Sequence, residues 1–208
     1  MEEVLEVYHL PYDARLPVVC MDETSKQLVA EVAPPVARVP GRELRLDYEY
    51  RRQGVANLFL AFEPLRGWRW VEVTQRRTRT DWAHFIAQLL ERHYPEAECL
   101  LLVLDNLNTH SGASLYEAFA PERARTLLER LHFVYTPKHG SWLNLAEAEF
   151  SILQRQCLDR RIPDASILSR ETSAWVHRRN QLQIGADWQF TTQDARTKLK
   201  RLYPSFED

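Results

Sequence analysis

The stretch that most constrains this chain is Glu98 to His110, ECLLLVLDNLNTH. Cys99 to Leu104 is an unbroken apolar run rich in Leu and Val, too short for a typical helix and without the alternation of a half-buried strand. Such a run predicts a central strand covered on both faces. Asp105 and Asn106 follow at once, then Asn108, Thr109 and His110, so a carboxylate stands where the strand opens into a polar turn. Open α/β sheets bind ligands at such carboxyl ends. The same Asp-Asn pair also suits an ordinary turn or a helix cap.

The 208 residues, 45% of them hydrophobic and 11% aromatic, suffice for one domain with a proper core and argue against disorder. A formal charge of -2 excludes a strongly basic protein, so any affinity for nucleic acid must come from local patches. Cys20, Cys99 and Cys157 lie far apart in apolar contexts, without the paired spacing of zinc sites, and read as buried, reduced thiols of a cytoplasmic protein. No apolar segment approaches membrane-spanning length, and the acidic start has the wrong sign for a leader.

Met1 to Pro17, with apolar residues at Val4, Leu5, Tyr8 and Leu10, predicts a short helical lead-in at the end of a linker. Pro17 to Met21 reads as a short buried strand with Asp22 and Glu23 at its exit, repeating the pattern around Asp105. A second strand is expected over Lys26 to Val32, then a proline-rich loop, PPVARVPGREL, and an alternating stretch from Arg45 to Arg52. A turn at Arg51 to Gly54 leads to a buried strand over Val55 to Phe62, and after Gly67 the alternating WRWVEVT predicts its antiparallel partner. Thr80 precedes a helix with Trp82, Phe85, Ile86, Leu89 and Leu90 on one face. Beyond the central strand come helices from Gly112 to Phe119 and Pro121 to Leu131, and a strand from His132 to Thr136. A long helix follows, capped by Ser141 or Asn144, with Leu143, Ala146, Phe150, Leu153 and Cys157 as its stripe. Helices over Asp164 to Leu182 and Gln193 to Leu202 complete the chain.

The long helix carries two acids. At about 100° per residue, Glu147 falls beside the apolar stripe and Glu149 points roughly opposite. Asp22, Asp105 and Glu147 therefore converge if their strands are neighbours. Crowded carboxylates without thiol or paired-histidine ligands call for a hard cation, Mg²⁺ or Mn²⁺. Two such ions about 4 Å apart can activate a water or a 3′-hydroxyl and stabilise the leaving oxygen of a phosphodiester. Taken singly, Asp22 also suits a turn, and Glu147 a solvated rim position paired with Arg155 or Lys138.

CMDE around Asp22, DYEYRRQGVANLF from Asp47, LDNLNTHSGASLYEAF from Leu104 and YTPKHGSWLNLAEAEFSILQRQCLDRRI from Tyr135 resemble the catalytic domain of bacterial insertion-sequence transposases of the mariner superfamily. The resemblance implies an α/β, ribonuclease-H-like fold, a mixed five-stranded sheet flanked by helices with a helical C-terminal extension. It divides the chain into a linker remnant (1–16), a catalytic domain (17–162) and the extension (163–208). It places the DDE triad, catalytic and metal-binding, on Asp22, Asp105 and Glu147, with two Mg²⁺ or Mn²⁺ ions. The implied activity is DNA cleavage followed by strand transfer into a TA target by a homodimer. The interval from Asp105 to Glu147 is longer than the mariner branch usually has. The helix-turn-helix modules the family carries ahead of its catalytic domain are not in this sequence, which implies a fragment, a split-frame product or a remnant, with a separate chain supplying them.

Secondary candidates for DNA contact are Asn106, His110, Lys138, His139, Arg51 and Arg52, with Arg76, Arg77 and Arg79 near strand ends. Asn106 and His110 equally suit turn stabilisation, the loop residues a solvated surface, and Trp142 packing against the sheet in place of stacking on a base. Two rivals stand beside the transposase reading: a non-catalytic remnant serving as a dimerisation or regulatory module, and a ribonuclease cutting RNA in hybrids.

Overall fold

A computed structural model of the chain describes residues 1–32, 49–138 and 140–203. The expected central strand is present as β4, Leu100–Leu104, paired in parallel on one side with β1 (Val18–Glu31) and on the other with β5 (Leu131–Tyr135). β1 continues antiparallel into β2 (Tyr50–Glu63), and β2 into β3 (Trp68–Thr74), giving a mixed sheet of order β3-β2-β1-β4-β5. The alternation along each strand divides the core in two. On one face Cys20, Leu58, Leu60, Val103 and Val134 pack together; on the other Val19, Met21, Phe59, Leu102 and Leu104 do.

Two boundaries differ from expectation for the same reason. The two short strands expected around Asp22 are one strand, because β2 pairs with β1 across the whole polar segment, Asp22 opposite Leu60, Glu23 opposite Phe59 and Thr24 opposite Leu58. Ladder bonds come from the backbone, so a polar run does not end a strand whose partner continues. Arg51 to Gly54, expected as a turn, lies within β2. There Gly54 adopts φ +90° beside the register shift between Gln27 and Val29, so the glycine makes a bulge. The expected loop PPVARVPGREL and most of the alternating Arg45 to Arg52 stretch fall outside the described residues.

The second face is covered by α2 (Arg79–Gln88), α3 (Gly112–Ala118) and α4 (Pro121–Leu128). α2 begins two residues earlier than expected because Thr78 and Asp81 form a reciprocal capping box, and it ends in a wider π-helical turn, Leu89–His93. The first face is covered by α1 (Glu2–Tyr8), α5 (Leu145–Leu153), α6 (Ala165–Gln181) and α7 (Thr192–Lys198). The segment expected as linker thus contributes Val4 and Leu5, both fully buried. The last expected helix is shorter, with Leu199 leading into a 3-10 turn. Of the three free thiols only Cys20 is buried; Cys99 and Cys157 are half-buried, a correction to the expectation for them.

Candidate active site

The parallel ladder between β1 and β4 matches Val18 with Leu101, Val19 with Leu102 and Cys20 with Val103. Two residues further on stand Asp22, inside β1, and Asp105, the first residue beyond β4, close enough that their charges interact. Both continue the parity of Cys20 and Val103, which face α5. Asp22 lies inside β1 and not at its exit, a correction to the expected position. Its Oδ1 accepts the Glu23 amide at 2.8 Å. Burial pushes its carboxyl up to about 7, against the pull of that backbone bond, and the charges of Asp105 and Glu23 add to the rise.

Behind this pair lies His110, whose side chain is buried. Its Nδ1 is 2.7 Å from Asp105 Oδ1, and its Nε2 is 2.7 Å from Glu23 Oε2. Burial works against an imidazolium here, but the bonds to the two carboxylates prevail and hold the ring up at about 9. The same His110 bond, foremost, keeps Asp105 below the usual carboxylate range, assisted by the Leu107 amide at 3.1 Å from Oδ1. Glu23 follows Met21 onto the opposite face of the sheet, and its Oε1 is buried without a hydrogen-bond partner among the described residues. His110 therefore reaches round the end of β4 to join acids from both faces. Tyr135 donates to the His110 carbonyl at 2.8 Å, anchoring the loop to β5. Asn106 instead donates to the Thr136 carbonyl, tying the exits of β4 and β5 together in a turn role.

Glu147 lies in the first turn of α5 and is half-buried. That turn is fixed over β1 by Asn144, which accepts the Ala146 amide at 3.1 Å and donates to the Met21 carbonyl, one residue from Asp22, at 2.9 Å. From outside, the buried Tyr8 hydroxyl donates to the Leu143 carbonyl at 2.7 Å and accepts the Leu145 amide at 3.3 Å. The Glu147 carboxylate has no partner among the described residues; Arg155 bonds Ser151 instead, at 3.0 Å. Glu149, placed opposite the stripe by helical geometry, is not solvated. It is 2% exposed, forms an ion pair with Arg69 of β3 across 2.7 Å and accepts from Arg179 of α6 at 3.0 Å, two elements that pack on each other.

Among the described residues no three His, Cys, Asp or Glu side chains form a ready-made metal-holding group. The donor chemistry nevertheless fits a hard divalent cation. Asp22, Asp105 and Glu147 offer oxygen alone, none of them pairs with Lys or Arg among the described residues, and Asp22 is a desolvated carboxylate beside Asp105 and Glu23.

The remaining candidates are not gathered here. Arg51 and Arg52 are exposed opposite Ala30 and Val29, eight and seven residues along β1 from Asp22, or roughly 25 Å at 3.3 Å per residue. Arg76, Arg77 and Lys138 are exposed, and Arg79 pairs with Glu117 at 2.5 Å. His139 lies outside the described residues. Trp142 rests on Trp188 and Phe190, with ring centroids 6.4 and 6.2 Å away, and not on the sheet as expected, leaving it 45% exposed.

A five-stranded mixed sheet in this order, with helices on both faces and acids within β1 and just past β4, is a ribonuclease-H-like α/β fold. Residues 17–169 match the family model of the DDE superfamily endonucleases, and the chain belongs to that family. Among solved structures it is similar to the Mos1 mariner paired-end complex with Mn, at TM-score 0.60 and 13% identity over 88% of this chain and 56% of that one. It is likewise similar to the Mos1 transposase paired-end complex with the left transposon end, at TM-score 0.58 and 13% identity, covering 88% of this chain and 57% of that one. The Mos1 strand transfer complex follows at 0.56 and 11%, covering 88% and 59%. The chain spans little more than half the length of these structures. No curated protein sequence matches it. No helix among the described residues is long and apolar enough to cross a membrane.

Proposed function

We propose that this chain is the catalytic domain of a DNA transposase, cutting DNA and joining the freed end to a target, with Asp22, Asp105 and Glu147 as its metal-holding acids. The observation that carries the reading is the register that sets Asp22 beside Asp105, with the first turn of α5 bonded to β1 one residue away. Asp22, Asp105 and Glu147 would hold Mg²⁺ or Mn²⁺, two per site in this reading, and the ions would supply polarisation of the phosphodiester and activation of the attacking water or 3′-hydroxyl. Asp22 and Asp105 hold the charge, and Glu147, without a partner among the described residues and in the first turn of the helix that covers their face, completes the donor set. His110 keeps Asp105 ionised and aligned while occupying one of its oxygens, which directs Oδ2 to the site. With no protein nucleophile required, the protein contributes position and charge. The likeness to Mos1 complexes with transposon ends supports DNA as substrate and a paired assembly as its setting.

The test is cleavage of a labelled duplex in Mn²⁺, alone and with a partner chain carrying end-recognition modules. Asp105→Asn and Glu147→Gln are each expected to lower the rate by on the order of a thousandfold or more while the fold persists. A chain whose melting and DNA processing are both indifferent to Mn²⁺ would instead be a dimerisation or regulatory module. Preference for RNA in a hybrid would favour a ribonuclease.

A further inference from the structure

We propose that a cleft between the end of α5 and α6, lined by Arg155 and Arg178, seats backbone phosphates of the DNA duplex that the acidic site works on. The inference rests on the proposed function only for the identity of the polyanion. The cleft has a volume of about 470 Å³ and lies where α5 passes into a π-helical turn, Gln154–Leu158. Its floor is held by Trp175, which donates to Gln156 at 2.9 Å. Of its acids, Glu171 is neutralised by Arg160 at 2.6 Å. Arg155 and Arg178 have no carboxylate partner among the described residues, and Lys26 arrives next door, bonding the Leu158 carbonyl at 2.6 Å. Asp159 remains as the opposing charge, so the cleft and its rim keep a positive surplus on a chain whose net charge is -2. A local surplus of forked guanidiniums is the chemistry that takes phosphate.

Its placement gives the surplus a purpose. Glu147 and Ser151 on α5 and Arg155 in the π-helical turn that continues it succeed one another four residues apart, and the bond from Arg155 to Ser151 puts those two on one ridge. Eight residues at 1.5 Å span about 12 Å. That is roughly three nucleotide steps at 3.4 Å each, so a strand cut at the acids could reach the cleft without leaving the helix.

The experiment measures binding of a fluorescent duplex of about 25 base pairs to the whole chain in EDTA, by anisotropy across a salt series. Arg155→Ala/Arg178→Ala is expected to weaken binding about tenfold at low salt and to reduce the slope of log K against log salt by about 1.8, close to 0.9 per lost phosphate contact. The control Arg123→Ala/Arg125→Ala, on α4, is expected to bind as the wild type does. Equal affinity and slope for the cleft variant and the wild type, or no duplex binding by the wild type, would overturn the proposal. So would tighter, cleft-dependent binding of duplex RNA. Because the assay contains no metal and measures no cleavage, a chain that binds through the cleft yet never cuts DNA sinks the catalytic reading alone.

Discussion

Asp22 and His110 carry opposite charges when ionised but pull stability the same way. Asp22 sits at about 7 in the fold against 3.8 for a free carboxyl, and His110 at about 9 against 6.5. A pKa raised by folding means the folded state binds more protons between the two values, so stability present below the lower value is lost as pH climbs through the upper. Asp22 acts between about pH 4 and 7, His110 between about 6.5 and 9. At about 1.4 kcal/mol per pH unit for each group within its window, the metal-free chain is therefore expected to lose about 5 kcal/mol between pH 5.5 and 8.5, seen as a melting temperature lower by roughly 10–20 °C. Calorimetry of Asp22→Asn should flatten the lower limb and His110→Gln the upper. A melting temperature that rises over this range would show that Asp22 is not buried, or His110 not paired with Asp105 and Glu23, as described. The position of Asp105 just beyond a buried strand was legible in the sequence because the apolar run ahead of it ends there, whereas Asp22 follows a similar run but β1 continues past it. Glu23 was not legible, because alternation sends it to the other face, where its partner is 87 residues distant.

At the scale of elements, the helix bearing Glu147 is held by contacts that no local pattern announces. Its face could be read from the spacing of Ala146, Phe150 and Leu153, and its cap from Asn144. The far side could not, since a helical wheel gives only angles, and whether Glu149 meets water or Arg69 and Arg179 depends on β3 and α6 arriving there. β1 was misread because hydrophobicity reports burial, whereas a strand lasts as long as its partner does. The Tyr8 hydroxyl supplies what the start of α5 lacks. It takes the Leu145 amide, one of the donors a helix cannot satisfy internally, and burial holds its proton far above the usual phenol range. Tyr8→Phe keeps the ring and removes these bonds. It is expected to lower the melting temperature by about 2–4 °C, near 1 kcal/mol, and to speed amide exchange at Leu145 and Ala146 ahead of the sheet. Uniform exchange changes across the fold, or none, would show that the hydroxyl does not clamp that turn.

For the whole molecule the question is whether the family domain stands alone. Residues 17–169 carry the sheet and all three acids, yet the face beneath Asp22 is finished by segments outside them. Val4 and Leu5 of α1 are fully buried, as is Ala195 of α7, and Trp175 of α6 is nearly so. α1 and α7 are also joined directly, Arg196 gripping both oxygens of Glu2 at 2.7 and 2.6 Å. Each large apolar side chain so covered contributes about 1.5–3 kcal/mol, and domains of this size have only about 5–15 kcal/mol in total. Removing α6 beyond residue 169 also takes Arg179 from Glu149 and Asn180 from Arg69, leaving buried charges short of partners. A chain cut to 17–169 is therefore expected to show no cooperative thermal transition and to expose apolar surface to a dye, whereas 1–203 melts sharply. A sharp transition from the shorter chain would mean that α1 and the C-terminal helices are accessories laid on a core that is complete without them, and the clamp at Tyr8 would lose its claim to hold the acid-bearing helix in place.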